Sequence, residues 1–295
     1  MKQILVTGGT STVGKHLKEL LPDAIYVSSK DCDLTDIFLV RCLISSYTPD
    51  VVIHLAAKVG GIQDIIDRPA EYFDDNIIMN TNILKVSHEY NVKRFIGILS
   101  TCIYPDKVDS YPMKEGVMFD GPPTPTNFSY GYAKRALAVQ IEAYNKQYGT
   151  RYNHITPCNL YSEYDDFDND KKMHFITALL KKIKMCTGEL NLLGTGKPLR
   201  QFMYAGDLAK VIKEVIDKDI FENFNIAYPE NYSINELAVK ALGYLNKNYY
   251  IKYNTPELDG QYRKDVSIEK MLSLFPNFKF TGFEEGIKKV YDKIS

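Results

Sequence analysis

The sequence predicts an α/β protein, a doubly wound parallel sheet followed by a smaller α/β domain. Three observations carry this expectation. Short apolar runs alternate with helix-period segments as far as Ser162. The first of those runs, Gln3–Thr7, passes directly into glycine. Beyond Ser162 the alternation weakens into short helices, a Gly-rich turn at 194–196 and a Lys-rich helical C-terminus. Strands separated by helices of about ten residues or more form βαβ units with right-handed crossovers, which place helices on both faces of a parallel sheet.

Each element has a local reason. Gln3–Thr7 reads as a buried strand and Val13 to Leu21 as the helix after it. A second strand at 24–28 leads through a polar stretch ending in Asp33-Leu34-Thr35-Asp36 to a helical segment at 37–46. Val51 to Ala56 is a further apolar strand, 69–91 a long helix, and Phe95 to Leu99 the next strand. Pro105, Pro112, Pro122, Pro123 and Pro125 then make 104–128 an ordered loop over the sheet edge. Helical periodicity returns from Ser129 to Tyr148, followed by a strand at 153–157. The chain shows no internal repeat and no low-complexity tract.

Composition narrows the function classes. The 295 residues carry 36 Lys+Arg against 37 Asp+Glu, a net charge of −1, with 45% hydrophobic and 25% charged residues. Such a balance argues against a protein that coats nucleic acid or a polybasic membrane-surface protein. No apolar run approaches the roughly 20 residues of a membrane span. The start, MKQILVTGG, meets glycine too soon for a signal-peptide core, so the expected setting is cytoplasmic. Cys32, Cys42, Cys102, Cys158 and Cys186 are scattered, odd in number and never spaced CxxC. Neither a disulfide framework nor a zinc site is expected, and each thiol is by default a small buried hydrophobe.

Two constellations carry chemistry. Thr7 is followed by Gly8, Gly9, Thr10, Ser11, Thr12, Val13 and Gly14, a strand turning through glycines into a helix. That turn lets backbone approach a pyrophosphate on the helix N-terminus. Many glycine turns exist only to allow positive φ, so the flanking strand and helix are what point to a dinucleotide. Asp33 and Leu34 follow the second strand, where a carboxylate can meet an adenine amino group, and Leu55, Ala56 and Ala57 end a strand at the same sheet edge. The second constellation is Tyr130-Gly131-Tyr132-Ala133-Lys134. Four residues apart on a helix is one face, so the Lys134 ammonium is expected to lower the pKa of the Tyr130 phenol. Such a phenol can donate a proton to a carbonyl oxygen receiving hydride, with Ser100 as a second hydrogen-bond donor. YxxxK arises readily by chance, and its place after a strand ending at Ser100 gives it weight.

These motifs together resemble the extended short-chain dehydrogenase/reductase family, and within it the branch of GDP-4-keto-6-deoxy-mannose 3,5-epimerase/4-reductases. The resemblance rests on HLAAKVGGI (54–62), STCIYP (100–105), PTN (125–127), YGYAK (130–134), YNKQYG (144–149) and NLY (159–161). GTGKPLRQF (194–202) and DGQYRK (259–264) extend it over essentially the whole chain. It implies a Rossmann domain at 1–162, with part of 203–228 returning to it, and a mainly substrate-binding domain at 163–295. It implies NADPH as cofactor, held by the glycine turn, Ser29, Lys30, Asp33, Leu34, Leu55, Ala56, Ala57, Tyr130, Lys134, Pro157, Asn159, Leu160 and His174. Cys102 falls on the position of the family's epimerising base and His174 on that of its acid partner. Lys182, Leu193, Arg200 and Asp259 fall on substrate-contacting positions, and a homodimer through the helices near 72–90 and 130–148 is implied. Without the resemblance Cys102 would read as a buried thiol, His174 as a surface or capping histidine, and the lone cations as solvated charges.

The chain departs from the family pattern at several positions. Ser11 replaces the middle glycine of the turn and Ser162 the glycine after NLY. Ser29, flanked by Ser28 and Lys30, stands where an Arg usually pairs with the 2′-phosphate. Leu193 stands where Trp is frequent. Two alternatives to the epimerase-reductase therefore remain open: a 4-reductase acting on a related GDP-keto sugar such as a 6-deoxy-heptose, without epimerisation, and a non-catalytic nucleotide-binding protein. Retention of Ser100, Tyr130 and Lys134 counts against the latter.

Overall fold

A computed structural model describes residues 2–168, 173–254, 259 and 261–294; Gly260 of the DGQYRK motif lies outside them. The chain runs β1 (Ile4–Thr7), α1 (Thr12–Leu20), β2 (Ile25–Val27), α2 (Ile37–Tyr47), β3 (Val51–His54), α3 (Ile62–Asp67), α4 (Pro69–Glu89), β4 (Arg94–Ile98), α5 (Phe128–Tyr148) and β5 (Asn153–Pro157). It continues with β6 (Asn159–Tyr161), α6 (Phe175–Met185), β7 (Glu189–Leu193), β8 (Leu199–Arg200), β9 (Phe202–Tyr204), α7 (Ala205–Asp217) and β10 (Phe224–Ile226). The last elements are β11 (Tyr232–Ser233), α8 (Ile234–Tyr244), β12 (Tyr250–Asn254), α9 (Glu269–Leu274) and α10 (Phe283–Lys293).

Six strands form one parallel sheet in the order β10-β5-β4-β3-β1-β2. Leu5, Val6, Val52, Ile53, Phe95 and Ile96 are buried, as strands covered on both faces require. The strand order reverses at β1, with β2 on one side and β3 on the other. In register, Thr7 lies opposite both Val27 and His54, so the carboxyl ends of β1 and β3 open side by side onto a crevice. Ligands bind at such a switch point in open α/β sheets.

Helix ends follow local chemistry. The Ser11 hydroxyl accepts from Gly14 N to cap α1, and the Asp36 carboxylate accepts from Phe38 N and Leu39 N to cap α2. Ser233 and Glu236 form a reciprocal capping box at α8. α5 stops at Gly149, whose φ of +66° lies in the left-handed region.

Two cores divide the packing. The first surrounds the six-stranded sheet and takes in Leu208, Ile212 and Val215 of α7, Phe224 and Ile226 of β10, and Met271 and Phe275 at α9. The second gathers Ile176 and Leu180 of α6, Leu190 of β7, Phe202 of β9, Leu237 of α8 and Ile287 of α10. The segment after β9 thus leaves the second core, packs on the sheet and returns.

The structure differs from the sequence expectations at two places. Between Ala56 and Pro69, where the sequence reading assigns no element, α3 forms at Ile62–Asp67 behind Gly61. Cys42 is exposed on the outer side of α2 and Cys186 is half-buried, whereas Cys32 and Cys158 are buried. α2 carries apolar residues around most of its circumference, but only Val40, Leu43 and Ile44 are buried.

Candidate active site

The glycine turn is shaped by close backbone approach. At Gly8, φ is +71° and an added Cβ would lie 2.8 Å from Ala56 N; at Gly14 it would lie 2.6 Å from the Gly9 carbonyl oxygen. Side chains at either position would close the cradle in which a pyrophosphate meets the N-terminus of α1. Ser11 does not weaken that turn, because its hydroxyl supplies the cap. The residues thus fit a dinucleotide. At the adenosine end, Asp33 Oδ1 accepts from Thr35 N (2.9 Å) and Thr35 Oγ1 (2.7 Å), bonds that hold its pKa below the ordinary value. Ser29 and Lys30 are exposed beyond β2, where the Asp31 carboxylate accepts from both the amide and the hydroxyl of Ser28 at 2.7 Å. Ser28 is therefore engaged, and Ser29 and Lys30 are the groups left to meet a phosphate.

A buried relay joins this turn to α5. Asn80 Nδ2 donates to the Ala133 carbonyl at 3.3 Å, which turns its Oδ1 toward His54 Nε2 at 2.9 Å. His54 Nε2 must then carry the proton, and Nδ1 accepts from Thr7 Oγ1 at 2.8 Å. Burial first, with the Lys134 ammonium second, pushes the His54 pKa down to about 3, so the ring is neutral. β1, β3, α4 and α5 are tied through it.

Four of the predicted residues meet at the end of β4. Ser100 caps a single 3-10 turn, Thr101–Ile103, by accepting from Cys102 N at 3.3 Å. Cys102 packs with Ala57, Ile65, Tyr72 and Tyr130. Lys134, buried one turn after Tyr130, donates to the Ile98 carbonyl at 2.9 Å, and burial lowers its pKa to about 8. The expected lowering of the phenol by Lys134 is not what the structure has. Burial first, and the neighbouring Cys102 second, raise the Tyr130 pKa well above the ordinary tyrosine value. Helical spacing put the ammonium on the right face, but its Nζ turns to a strand carbonyl.

A residue that the sequence reading missed completes the cluster. Lys264 Nζ lies 3.1 Å from Cys102 Sγ. Burial alone would push the Cys102 thiol up, yet its pKa falls below the ordinary value, through Lys264, the Ser100 hydroxyl and Arg200. Lys264 sits on a strap pinned from both sides. Gln261 Nε2 donates to the Asp106 carbonyl at 2.8 Å, Gln201 Oε1 accepts from Val266 N at 2.9 Å, and Met113 N donates to the Asp265 carbonyl at 2.9 Å. No sequence spacing links positions 102 and 264; the contact exists only in the tertiary fold.

The substrate-side predictions separate. Arg200, whose burial lowers its pKa, donates to the Leu199 carbonyl at 2.8 Å and to the Asp259 carbonyl at 3.4 Å. The Asp259 carboxylate accepts from Thr195 N (2.6 Å) and Thr195 Oγ1 (2.5 Å). Lys182 donates to the Asn191 carbonyl at 3.1 Å, and Leu193, 61% exposed, ends β7. Pro157 ends β5, while Asn159 and Leu160 run in β6 beside Phe202 and Met203 of β9. His174 is the exposed N-cap of α6; its ring makes no hydrogen bond among the described residues, and the structure does not join it to Cys102 or Tyr130.

Comparison with known proteins gives the family. Residues 4–227 match the NAD dependent epimerase/dehydratase family. The chain is 34% identical over 306 residues to a GDP-L-fucose synthase of Dictyostelium discoideum, covering 98% of this chain and 93% of that protein. It superposes with a TM-score of 0.87 on a GDP-L-fucose synthetase from Naegleria fowleri bound to NADP, at 32% identity over 99% of this chain and 93% of the other. A GDP-6-OMe-4-keto-L-xylo-heptose reductase from C. jejuni gives a TM-score of 0.89 at 25% identity, over 99% and 97% of the two chains.

Proposed function

Because the chain belongs to the NAD dependent epimerase/dehydratase family, we propose that it is an NADPH-dependent enzyme that reduces carbon 4 of GDP-4-keto-6-deoxy-mannose after epimerising carbons 3 and 5, giving GDP-L-fucose. The observation that carries the epimerase half is the Lys264–Cys102 contact at 3.1 Å, beside Ser100 and Tyr130. Hydride transfer needs no thiolate, whereas removal of the protons on carbons 3 and 5 needs a base, and a thiol with a lowered pKa can serve as one.

The C4 carbonyl acidifies the hydrogens on carbons 3 and 5, so each epimerisation needs a base, an acid on the other face and a hold on the enolate oxygen. Cys102, as thiolate steadied by Lys264, removes the proton, and His174 returns one to the opposite face. Ser100 and Tyr130 donate to the oxygen as charge develops on it. Reduction then needs a proton at that same oxygen. Burial and the adjacent thiolate keep the Tyr130 phenol protonated, so it is loaded as the donor. NADPH, when bound, supplies the hydride for carbon 4. Gly8 to Gly14 would hold its pyrophosphate, Asp33 and Leu34 its adenine, Ser29 and Lys30 its 2′-phosphate, and Leu55, Ala56, Ala57, Pro157, Asn159 and Leu160 would line its path to Lys134.

At the nucleotide-sugar end, Arg200, close enough to Cys102 to help lower its pKa, would meet the diphosphate, with Lys182 and Asp259 as further substrate contacts. Arg200→Met is expected to raise KM for the GDP-sugar about 10–100-fold, the loss of charge-assisted hydrogen bonds, with NADPH affinity unchanged. Steady-state kinetics with a separate cofactor titration checks this. Lys264→Met removes the cation that holds the thiol down. The acid limb of the proton-exchange rate against pH is then expected to move toward alkaline pH. An unmoved limb would mean that Lys264 does not serve Cys102.

A homodimer suits the exposed apolar residues Phe73 and Ile78 on α4 and Val139 on α5, whose other faces already pack in the core. No helix among the described residues is long and apolar enough to cross a membrane. The free thiols suit a reducing compartment such as the cytoplasm. The reaction is tested with GDP-4-keto-6-deoxy-mannose and NADPH, following loss of NADPH and the configuration of the product sugar. Turnover of a GDP-4-keto-heptose in preference to the deoxyhexose would instead favour the second reading, which the exposed Leu193 and the likeness to the heptose reductase support.

A further inference from the structure

The nucleotide turn and the first helix of the second core are joined through one carboxylate. Asp165 lies in the crossing between β6 and α6. Its Oδ1 accepts from the Thr12 hydroxyl at 3.0 Å, and Thr12 is the first residue of α1, whose N-terminus closes the glycine turn. Its Oδ2 accepts from the hydroxyl of Thr177, in the first turn of α6, and from Ser162 N at 3.3 Å. Thr177 is fully buried, so α6 cannot shift without stranding that hydroxyl away from water. The crossing is also fastened to α1 by His16, whose Nε2 lies 2.8 Å from Ser162 Oγ, and to β9 by the Tyr204 hydroxyl, which donates to Glu163 at 2.6 Å. Ser162, in the place of a family glycine, is thus part of the fastening.

We propose that Asp165 is a positioning residue that couples NADPH binding at the N-terminus of α1 to the seating of α6, and so to the placement of His174 at the N-cap of that helix. The coupling stands on the hydrogen bonds; only its consequence for His174 rests on the function proposed above. A ligand that fixes Thr12 also fixes the carboxylate it donates to, which makes the bond to Thr177 less costly in lost freedom. Linkage then requires that loosening α6 weaken the ligand.

The test is a double-substitution cycle read as NADPH affinity by isothermal titration calorimetry of the full chain. Thr177→Val removes one hydroxyl from α6 and leaves the nucleotide turn intact. It is expected to weaken NADPH binding about 5-fold. Asp165→Asn is expected to weaken it about 10-fold, and the double variant no further than Asp165→Asn alone. Thr177→Val binding NADPH like the wild type overturns the proposal, as do losses that multiply to about 50-fold in the double variant. Either would leave Asp165 a local packing role. Should Asp165→Asn fail to fold, Thr177→Ser, which keeps the hydroxyl, must bind NADPH like the wild type while Thr177→Val does not; equal affinities would again overturn it. The probe is NADPH alone. A chain that shows the coupling but turns over no GDP-keto sugar sinks the proposed function only, and one that turns over the sugar without the coupling sinks only the role of Asp165.

Discussion

Tyr130→Phe is expected to slow reduction of the keto sugar by about 10²–10⁴-fold while leaving NADPH affinity close to wild type. The phenyl ring keeps the packing of Tyr130 against Ile65 and Tyr72, so the substitution removes one proton and one hydrogen bond rather than a piece of the core. In the structure, burial and Cys102 both raise the phenol pKa, so across the physiological range the hydroxyl carries its proton. Phe has none to give, and the C4 oxygen must take its proton from water. Single-turnover oxidation of NADPH measures the loss, and a cofactor titration shows that the site is intact. A rate within a few-fold of wild type would mean that another group protonates the oxygen.

Cys102→Ser has the second large effect, and on a different step. Serine is nearly isosteric, keeps the 3-10 turn capped by Ser100, and cannot ionise near neutral pH. Proton exchange at carbons 3 and 5 should fall about 10²-fold or more, while some reduction of the unepimerised keto sugar persists. The product would then keep its original configuration at both carbons. Equal loss of exchange and of hydride transfer would show that Cys102 shapes the pocket for both steps, contrary to the account.

How much of this was legible in the sequence differs by level. The parallel sheet was, because strands such as Val51–His54 are buried on both faces and open on an apolar run, Val51 to Ile53. So was the glycine turn, since Gly8 and Gly14 are forced by backbone approach that no other residue tolerates. Ser100, Cys102, Tyr130 and Lys134 could be grouped, because they lie on one strand end and one helix face. What the pattern could not show was direction. Spacing allows Lys134 to face Tyr130, but the Ile98 carbonyl takes its ammonium. Nor could it show partners distant along the chain, since Lys264 reaches Cys102, and Asp165 reaches Thr12, only once the strap and the crossing have folded over the sheet edge. His174 was carried by family likeness alone, and the structure seats it as an exposed helix cap. His54 and Asn80 lay inside readable segments, and their polarity in an apolar strand and a buried helix face was the signal that could have found them.

In the mechanism proposed above, one pocket performs both proton exchange and hydride transfer. Turnover of GDP-4-keto-6-deoxy-mannose with NADPH in heavy water, with the product read by NMR, tests it most directly. The expected product is GDP-L-fucose carrying deuterium at carbons 3 and 5 and the NADPH-derived hydrogen at carbon 4. Reduction at carbon 4 with protium retained at both flanking carbons would contradict it, leaving a 4-reductase whose thiol and lysine serve some other end.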